Sequence, residues 1–394
     1  MSFFHDLQKV LKKNIRDFGM YIALFAIWII FAIATDGLFL SSRNLSNLFN
    51  QVGYIAVLAV GMTLVIVIRH IDLSVGFLAG FLGAVAAIMM ASWGWPVYIV
   101  IPVVLGLGIL AGLLTATPVA KLGVPSFVAS LAGWLIYRGL LGVVTAGTGT
   151  IIISDKIFNA IGNGFIPDIP DIGFLNDVHK ITILVGILGV ILYVRSAISS
   201  RRKKQAYNFE VLPMNIFIVQ LVFISIIMLG ITWVLAGYNG LSWTFVIVLI
   251  VVAIYSFITT QTVLGRHIYA TGGNPEAAQL SGINVQRITF IVFASMGMLS
   301  ALSGILFSSR LQSATTTAGT LFELDAIAAA YVGGVSAAGG VGSIFGSLIG
   351  ALVMISLTSG MNLMGVDANL QYIVRGLVLV AAVIFDVTTR RSGK

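Results

Sequence analysis

Four histidines and no cysteine restrict the metal and nucleophile chemistry open to this chain. His5, His70, His179 and His267 are scattered along the sequence, and no two of them stand at the spacing of a metal site. The absence of cysteine excludes disulfides, zinc–thiolate sites and thiol nucleophiles. The sequence also lacks GxxxxGK[ST], the loop that binds ATP phosphates in P-loop proteins. We therefore expect no enzyme, and no metal or nucleotide cofactor bound by this chain.

A polar stretch over residues 264–287 lies between two long apolar runs and contains the signals of a short helix. Asn274 is a favourable N-cap, and Pro275 suits the first helical position because its missing N–H would be unpaired there. Glu276 meets the positive end of the helix dipole, and Gly282 suits the left-handed residue that ends a helix. The pattern predicts about two turns of helix.

A helix of two turns is too short to be stable alone, so it needs a surface to pack on. Ala277 and Ala278, with Leu280 beside them, form a small face that a partner protein could approach closely. Gly272 and Gly273 before the helix suggest a flexible connection. The alternative interpretation is an ordinary capped helix in a loop between two membrane spans.

Polar and aromatic residues repeat along one face of a predicted span over residues 126–146. Ser130, Trp134 and Arg138 stand four residues apart, with Tyr137 adjacent, so a helix places them on one side. Such a sparse set suits a path that lets a polar molecule pass without holding it tightly. Alternatively, Arg138 is a structural residue that snorkels or bonds between helices.

The composition identifies an integral membrane protein. Hydrophobic residues make up 58% of the 394, and charged residues only 9%. Apolar runs of about 17–25 residues recur, which favours helical spans over a barrel. We predict one all-α polytopic membrane domain over residues 1–394, with about 10–12 transmembrane helices. The loop at 36–50 is polar, and Leu324–Gly340 is short and glycine-rich enough for a broken or re-entrant helix.

Basic residues indicate the topology. Residues 1–18 are predicted to be an amphipathic segment on the cytoplasmic face, and residues 147–180 an external loop. Most of the 22 Lys and Arg fall on one side when both termini and the 264–287 loop are cytoplasmic. The net charge of +8 is therefore a topology signal, and we expect no nucleic acid partner. Contacts with membrane lipid follow; a bacterial inner-membrane location is implied only by the family resemblance described below.

Two glycine-containing stretches share the pattern V-G-x-[LI]-x-G-x-L. Gly76 and Gly80 belong to the first, and Gly342 and Gly346 to the second. With Gly350, the last two are spaced by four, which predicts a helix stripe that packs closely on another helix. The shared pattern hints at two related halves.

Carboxylates argue against transport driven by an ion gradient. Carriers of that class usually hold ionisable groups within their spans. Here Asp72 is expected at a helix cap, and Glu323 and Asp325 at a span edge, while only Arg138 and Arg375 look buried. An ion-coupled carrier or a channel is therefore only an alternative functional class for this membrane protein.

Residues 276–282 carry a specific resemblance. Glu276-Ala277-Ala278 followed by Gly282 resembles the EAA loop of ABC importer permeases. The run GRHIYATGGNPEAAQLSGI is similar to the sugar branch of that family, and so are IDLSVG at 71–76 and GGVGSIFGSLIGA at 339–351. The Leu-Pro pair of the general EAA pattern is absent, as in the sugar branch.

This resemblance implies a function and a set of partners. Residues 272–282 would be the coupling helix and its approach, bound to a cytoplasmic ABC ATPase with fused nucleotide domains that holds ATP and Mg. Two permease chains would form the pore, and an external sugar-binding protein would deliver a monosaccharide. A pentose such as D-xylose is the first expectation; ribose, galactose, a signalling furanose or nucleosides are alternatives.

Overall fold

The structure is a computed structural model that describes residues 15–147, 149–170, 178–209 and 211–391. Most of the predicted amphipathic segment 1–18 lies outside the described residues; residues 15–18 belong to the first helix. The helices are α1 Ile15–Ala34, α2 Ser42–Val67, α3 Val75–Ala91, α4 Val97–Leu122, α5 Ser126–Thr145, α6 Lys156–Asn163, α7 Lys180–Ala206, α8 Met214–Ala236, α9 Trp243–Gln261, α10 Val263–Gly273, α11 Pro275–Leu280, α12 Val285–Leu311, α13 Phe322–Val332, α14 Ile344–Leu363 and α15 Ala368–Arg391. The strands are β1 Thr150–Ile152 and β2 Ser313–Thr315.

These helices confirm the all-α polytopic membrane class. Within the described ranges, nine helices are long and apolar enough to cross a membrane, and Gly19–Ala34 and Val75–Ala91 are shorter apolar helices. Helices α2 and α14 are almost wholly buried in the bundle, whereas few residues of α7 and α8 are buried. The first pair forms the core, and the second pair presents its apolar side chains to the lipid.

The segment after β2 is broken, as its glycine content predicted. Helix α13 has 11 residues, or about 16 Å at 1.5 Å per residue, and cannot cross a bilayer core of about 30 Å. Residues 333–343 continue without helix until Ser343 caps α14 by accepting a hydrogen bond from Gly346 N. The polar loop expected at 36–50 is shorter than predicted, because Ser41 caps α2 and the helix begins at Ser42.

The predicted glycine stripe is partly wrong. Gly342 precedes the N-cap of α14, so it does not share a helix face with Gly346 and Gly350. A Cβ on Gly350 would lie 1.9 Å from Ala329 O, and one on Gly346 would lie 2.2 Å from Gly333 O, so these two glycines pack α14 directly on α13. The loop at 333–343 breaks the helix before the stripe is complete.

Gly76 and Gly80 lie on α3 and pack against the segment that precedes α13. A Cβ on Gly80 would lie 2.2 Å from Ala318 O. A Cβ on Gly76 would lie 2.1 Å from a carboxylate oxygen of Glu323. The glycines therefore bring α3 into backbone contact with the entrance to the broken helix.

The segment predicted as an external loop, residues 147–180, contains ordered structure in its described part. Strands β1 and β2 pair antiparallel, with Ile151 opposite Ala314. Ser309 Oγ accepts a hydrogen bond from Gly162 N at 2.7 Å and donates one to Phe158 O at 2.5 Å, which fixes α6 on the end of α12.

Asp168 closes this segment onto the start of α7. Its carboxylate accepts hydrogen bonds from Lys180 N at 2.9 Å and Ile181 N at 3.0 Å. Desolvation raises the pKa of Asp168, but hydrogen bonds from the backbone N–H groups of Ile181, Lys180 and Ile169 outweigh it and lower the pKa to about 2. The carboxylate is therefore ionised when it caps α7.

Candidate functional site

Helix α11 has the caps that its sequence predicted. Asn274 Oδ1 accepts a hydrogen bond from Ala277 N at 3.1 Å, and Pro275 occupies the first turn. Ser281 follows the last helical residue, and Gly282 has φ of +85°, the left-handed conformation. Helix α11 is thus a complete short helix between α10 and α12.

The exposed face of α11 differs from the face that sequence reasoning proposed. Ala278 is buried against the chain itself, whereas Glu276 and Ala277 are exposed. Adjacent residues on a helix point about 100° apart, so Ala277 and Ala278 do not present one surface. Leu280 is 90% exposed, more than any other exposed large hydrophobic side chain in the described part of the chain. Helix α11 therefore exposes a large apolar side chain on only six helical residues.

The connection expected to be flexible at Gly272 and Gly273 is helical. Both are the last residues of α10. A Cβ on Gly272 would lie 1.8 Å from Val67 O, the last residue of α2, so glycine is required for close backbone contact. The Arg69 side chain donates hydrogen bonds to the carbonyl oxygens of both glycines. These residues hold α11 against the bundle.

The end of α15 lies near this contact. Asp386 Oδ2 accepts a hydrogen bond from Ser336 Oγ at 3.2 Å, within the loop 333–343. In the same loop, Gly340 N donates to Val67 O at 2.8 Å. The C-terminal end of α15 and the α10–α11 region therefore lie at the same end of the bundle. Their cytoplasmic location stays a prediction from the charge pattern.

The four residues nominated for the substrate path have different surroundings. Ser130 is buried and donates to Ile71 O at 3.4 Å, and Tyr137 is buried and stacks on Phe81. These two side chains pack α5 on α3 and the loop before it. Arg138, by contrast, is exposed on α5.

Arg138 and Trp134 form an aromatic cluster with α3. The Arg138 guanidinium lies 5.2 Å from the Trp134 ring centre and 5.7 Å from that of Phe77. The Phe77 and Trp134 rings meet edge to face at 4.9 Å. An exposed arginine within a 20-residue span is costly against lipid, so this face suits a water-filled path or a second chain.

Glu323 completes this cluster, and sequence reasoning missed it. Trp134 Nε1 donates to Glu323 Oε1 at 3.0 Å, which joins α5 to α13. Glu323 is buried, and its Oε2 has no hydrogen-bond partner among the described residues. A tryptophan ring beside a carboxylate offers a flat apolar face and an acceptor, which match the C–H face and hydroxyls of a sugar. No local sequence pattern indicated this pairing, because Trp134 and Glu323 are 189 residues apart in the chain.

Asp72, Glu323 and Asp325 lie at helix ends, as expected, but the expectation that only arginines are buried was wrong, because all three carboxylates are buried. Asp72 is buried and accepts hydrogen bonds from Ser74 N and Ser74 Oγ, while Ser74 is the N-cap of α3. Asp325 is buried on α13 and forms an ion pair with Arg375 of α15 at 3.2 Å. The break before α13 brings residues that look terminal in sequence into the interior. Arg375 is partly buried in this pair, and Arg138 is exposed.

The Asp325–Arg375 pair lines a cavity of about 110 Å³ between α13, α14 and α15. Leu324 and Met354 line the same cavity with Tyr372. The pair ties the outer helix α15 to the broken helix α13 by charge. Among the described residues, no group of three or more His, Asp or Glu could hold a metal ion.

A Glu323→Gln substitution tests the aromatic cluster. Glutamine keeps an acceptor for Trp134 Nε1 but loses the charge, so we expect the chain to remain folded. Uptake should fall about fivefold to tenfold, because a hydrogen bond to a charged acceptor is stronger by about 1 kcal/mol than one to a neutral acceptor. The measurement is initial uptake rate per amount of protein in the membrane, against wild type. Equal uptake rates for the variant and the wild type would mean that the charge of Glu323 has no part in the substrate path.

This architecture indicates the class of protein to which the chain belongs. A polytopic bundle with a broken, charged helix in its interior and a capped helix at one end is typical of a membrane transport protein. Comparison with known proteins gives the family. The family described as "Branched-chain amino acid transport system / permease component" matches residues 44–383, and the chain belongs to it. It is a multi-pass permease subunit of an ABC transporter.

Curated relatives match nearly the whole chain. The xylose transport system permease protein XylH of Escherichia coli (strain K12) is 41% identical over 378 residues, 96% of this chain and 93% of that protein. XylH of Haemophilus influenzae is 39% identical over 384 residues, 98% of this chain and 99% of the relative. The ribose import permease protein RbsC of the same organism is 37% identical over 351 residues, 88% and 86% of the two chains. No solved structure matches the chain significantly.

Proposed function

We propose that this chain is the membrane subunit of an ATP-driven monosaccharide importer, with D-xylose as its first substrate. The observation that carries the coupling part of the proposal is the 90% exposure of Leu280 on a fully capped helix. Burying a leucine contributes about 1.5–3 kcal/mol, so this side chain favours a protein partner over water. The partner we propose is a cytoplasmic ABC ATPase that binds ATP and Mg.

The substrate part of the proposal comes from the relatives. XylH from two organisms is named for xylose, and RbsC for ribose. Xylose is placed first because the XylH proteins are more similar and match more of the chain. Ribose, galactose, a signalling furanose and nucleosides are the alternatives within the same architecture.

The path part of the proposal uses the face of α5. Arg138 is exposed there, beside Trp134 and Glu323. A second copy of the chain facing α5 would enclose these groups and keep Arg138 from lipid. Two permease chains, the ATPase and an external sugar-binding protein would then form the transporter. ATP binding would move α11 and open the path alternately to each side.

Co-purification tests this proposal. The tagged chain, extracted from its native membrane in mild detergent, is expected to carry an ATP-hydrolysing subunit with it. A binding protein from the same transport system should then stimulate ATP hydrolysis when loaded with xylose, and less with ribose or galactose. Recovery of the folded chain with no ATPase, under conditions that preserve a control ABC transporter, would contradict the proposal.

The alternative energy source, an ion gradient, is tested separately because four carboxylates are buried among the described residues: Asp72, Glu323, Asp325 and Asp386. The ABC importer and an ion-coupled carrier differ in their energy source. Uptake in reconstituted vesicles that requires internal ATP and persists without an ion gradient favours the ABC importer. Uptake that is abolished by an ionophore and indifferent to ATP favours the carrier.

A further inference from the structure

We infer that Arg69 locks the end of α10 to helices α2 and α14, so that a displacement of α11 moves the ends of all three helices together. This inference rests on the proposed function, in which an ATPase moves α11. It concerns a positioning residue outside the 264–287 stretch. The residues involved are called the Arg69 cluster: Val67, Arg69, Tyr269, Gly272, Gly273, Gly339, Gly340 and Gly342.

Arg69 binds the carbonyl end of α10. Its Nε donates a hydrogen bond to Gly272 O at 2.6 Å, and a terminal guanidinium nitrogen donates to Gly273 O. The last carbonyls of a helix have no partner within the helix and carry the negative end of its dipole. The planar guanidinium presents several donors in a fixed arrangement, so one arginine binds both carbonyls with a defined orientation.

The backbone of Arg69 fixes where this side chain starts. Its φ is +66°, in the left-handed region that non-glycine residues rarely adopt. Arg69 N donates to Ile66 O at 2.9 Å, and His70 N donates to Val65 O, so the turn that ends α2 is hydrogen-bonded to α2 itself. The guanidinium is therefore attached to the buried core helix through a short, defined turn.

Close backbone contacts exclude movement between the segments. A Cβ on Gly272 would lie 1.8 Å from Val67 O, and one on Gly339 would lie 2.4 Å from Arg69 Cγ. Gly340 N donates to Val67 O at 2.8 Å. Three chain segments thus meet in close backbone contact, with the Arg69 side chain packed between them.

A further hydrogen bond reaches α14. Tyr269 Oη on α10 donates to Gly342 O at 2.7 Å. Gly342 directly precedes Ser343, the N-cap of α14. Helix α10 is therefore bonded to α2 through Arg69 and to the entrance of α14 through Tyr269.

The position of α11 gives this cluster its role. A single residue, Asn274, separates α11 from the last residue of α10. A partner that moves α11 must move Gly272 and Gly273 with it. Since α2 and α14 are the most deeply buried spans in the described chain, the Arg69 cluster passes that movement to the core. Without Arg69, α10 would keep its backbone contacts and the Tyr269–Gly342 hydrogen bond but lose the two hydrogen bonds that tie it to the end of α2.

Distance measurement in the assembled complex tests this inference. The chain has no cysteine, so spin labels attach only at introduced sites. Ala270→Cys on α10 and Phe345→Cys on α14 are both exposed. In the wild-type background we expect one narrow distance between these labels, unchanged by ATP binding. In Arg69→Ala we expect a broader distance that changes with nucleotide.

Transport measurements on the same variants separate a positioning role from a structural one. For Arg69→Ala we expect normal ATPase retention, ATP hydrolysis close to wild type, and about tenfold less sugar moved per ATP, because two charge-assisted hydrogen bonds are lost. Arg69→Lys, with one compact donor group, should recover part of this loss. Arg202→Ala, an exposed arginine on α7, serves as the matched control and should behave as wild type.

The alternatives give distinct results. If Arg69 only stabilises the fold, Arg69→Ala lowers ATPase retention, hydrolysis and uptake in the same proportion, and sugar moved per ATP stays unchanged; that result overturns the inference. A nucleotide-independent narrow distance in Arg69→Ala also overturns it. If the wild-type chain binds no ATPase at all, that result contradicts the proposed function but leaves the inference about the Arg69 cluster open to test. The distance between the two labels in the isolated chain, with and without Arg69→Ala, then tests the cluster alone.

Discussion

A chain carrying Leu280→Asp is expected to reach the membrane in normal amount, lose its ATPase on purification and cease sugar uptake. Leu280 is 90% exposed, so the substitution removes little internal contact. Loss of about 2 kcal/mol of burial at the partner surface alone weakens binding roughly 30-fold, and a carboxylate that must be desolvated adds to this. The measurement is the ratio of ATPase to permease after affinity purification.

Leu122→Asp is the matched control. Leu122 is also an exposed leucine and is also the last residue of its helix, α4. The new carboxylate therefore meets the same unfavourable end of a helix dipole in both variants. We expect Leu122→Asp to retain the ATPase. Equal retention in Leu280→Asp and Leu122→Asp would mean that α11 does not bind the ATPase.

Arg375→Gln is expected to destabilise the chain strongly. Asp325 is buried and pairs with Arg375 at 3.2 Å, so the substitution leaves a carboxylate in the bundle without its partner. Removing one member of a buried ion pair typically costs about 3–5 kcal/mol, a large share of the stability of a domain. The measurement is the thermal unfolding of the purified chain, together with its amount in the membrane.

The double variant Asp325→Asn/Arg375→Gln distinguishes charge from packing. It removes both charges and keeps similar side-chain volumes, so most of the lost stability should return. If Arg375→Gln alone is as stable as wild type, the ion pair does not hold α15 on α13. If the double variant is as unstable as the single one, the cause is packing around the cavity that the pair lines.

The parts of the fold that depend on local sequence were predictable. The spans follow from long apolar runs, and α11 from Asn274, Pro275 and Gly282, because caps and dipoles act within one or two turns. The break at 333–343 was also visible in the glycine content. Contacts between residues that are distant in sequence could not be predicted.

Glu323 and Gly272 illustrate that limit. Glu323 follows a loop, and its position in sequence suggests a span edge; the short helix α13 carries it inward to Trp134. Gly272 suggests flexibility, yet the carbonyl of Val67 lies so close that only glycine fits. In both cases, the role is set by a neighbour more than a hundred residues away, which no local pattern records.

The candidate site was also predictable only in part: several of its residues could be named, but their contacts could not. The exposed leucine of α11 was named, but its separation from Ala278 required the helix to be placed on the bundle. Of the α5 face, Trp134 and Arg138 lie in one aromatic cluster, whereas Ser130 and Tyr137 pack α5 on its neighbours. Arg69 was visible only as a basic residue in a short loop.

One cross-linking measurement tests the coupling role of α11 most directly. In the cysteine-free chain, Leu280→Cys places a single thiol on the exposed face of α11. We predict that a short bifunctional reagent joins this thiol to an ATP-hydrolysing subunit in native membranes, and that a membrane-impermeant thiol reagent added outside intact cells does not label it. Labelling from outside, or a cross-link to no ATP-hydrolysing protein, would contradict the account.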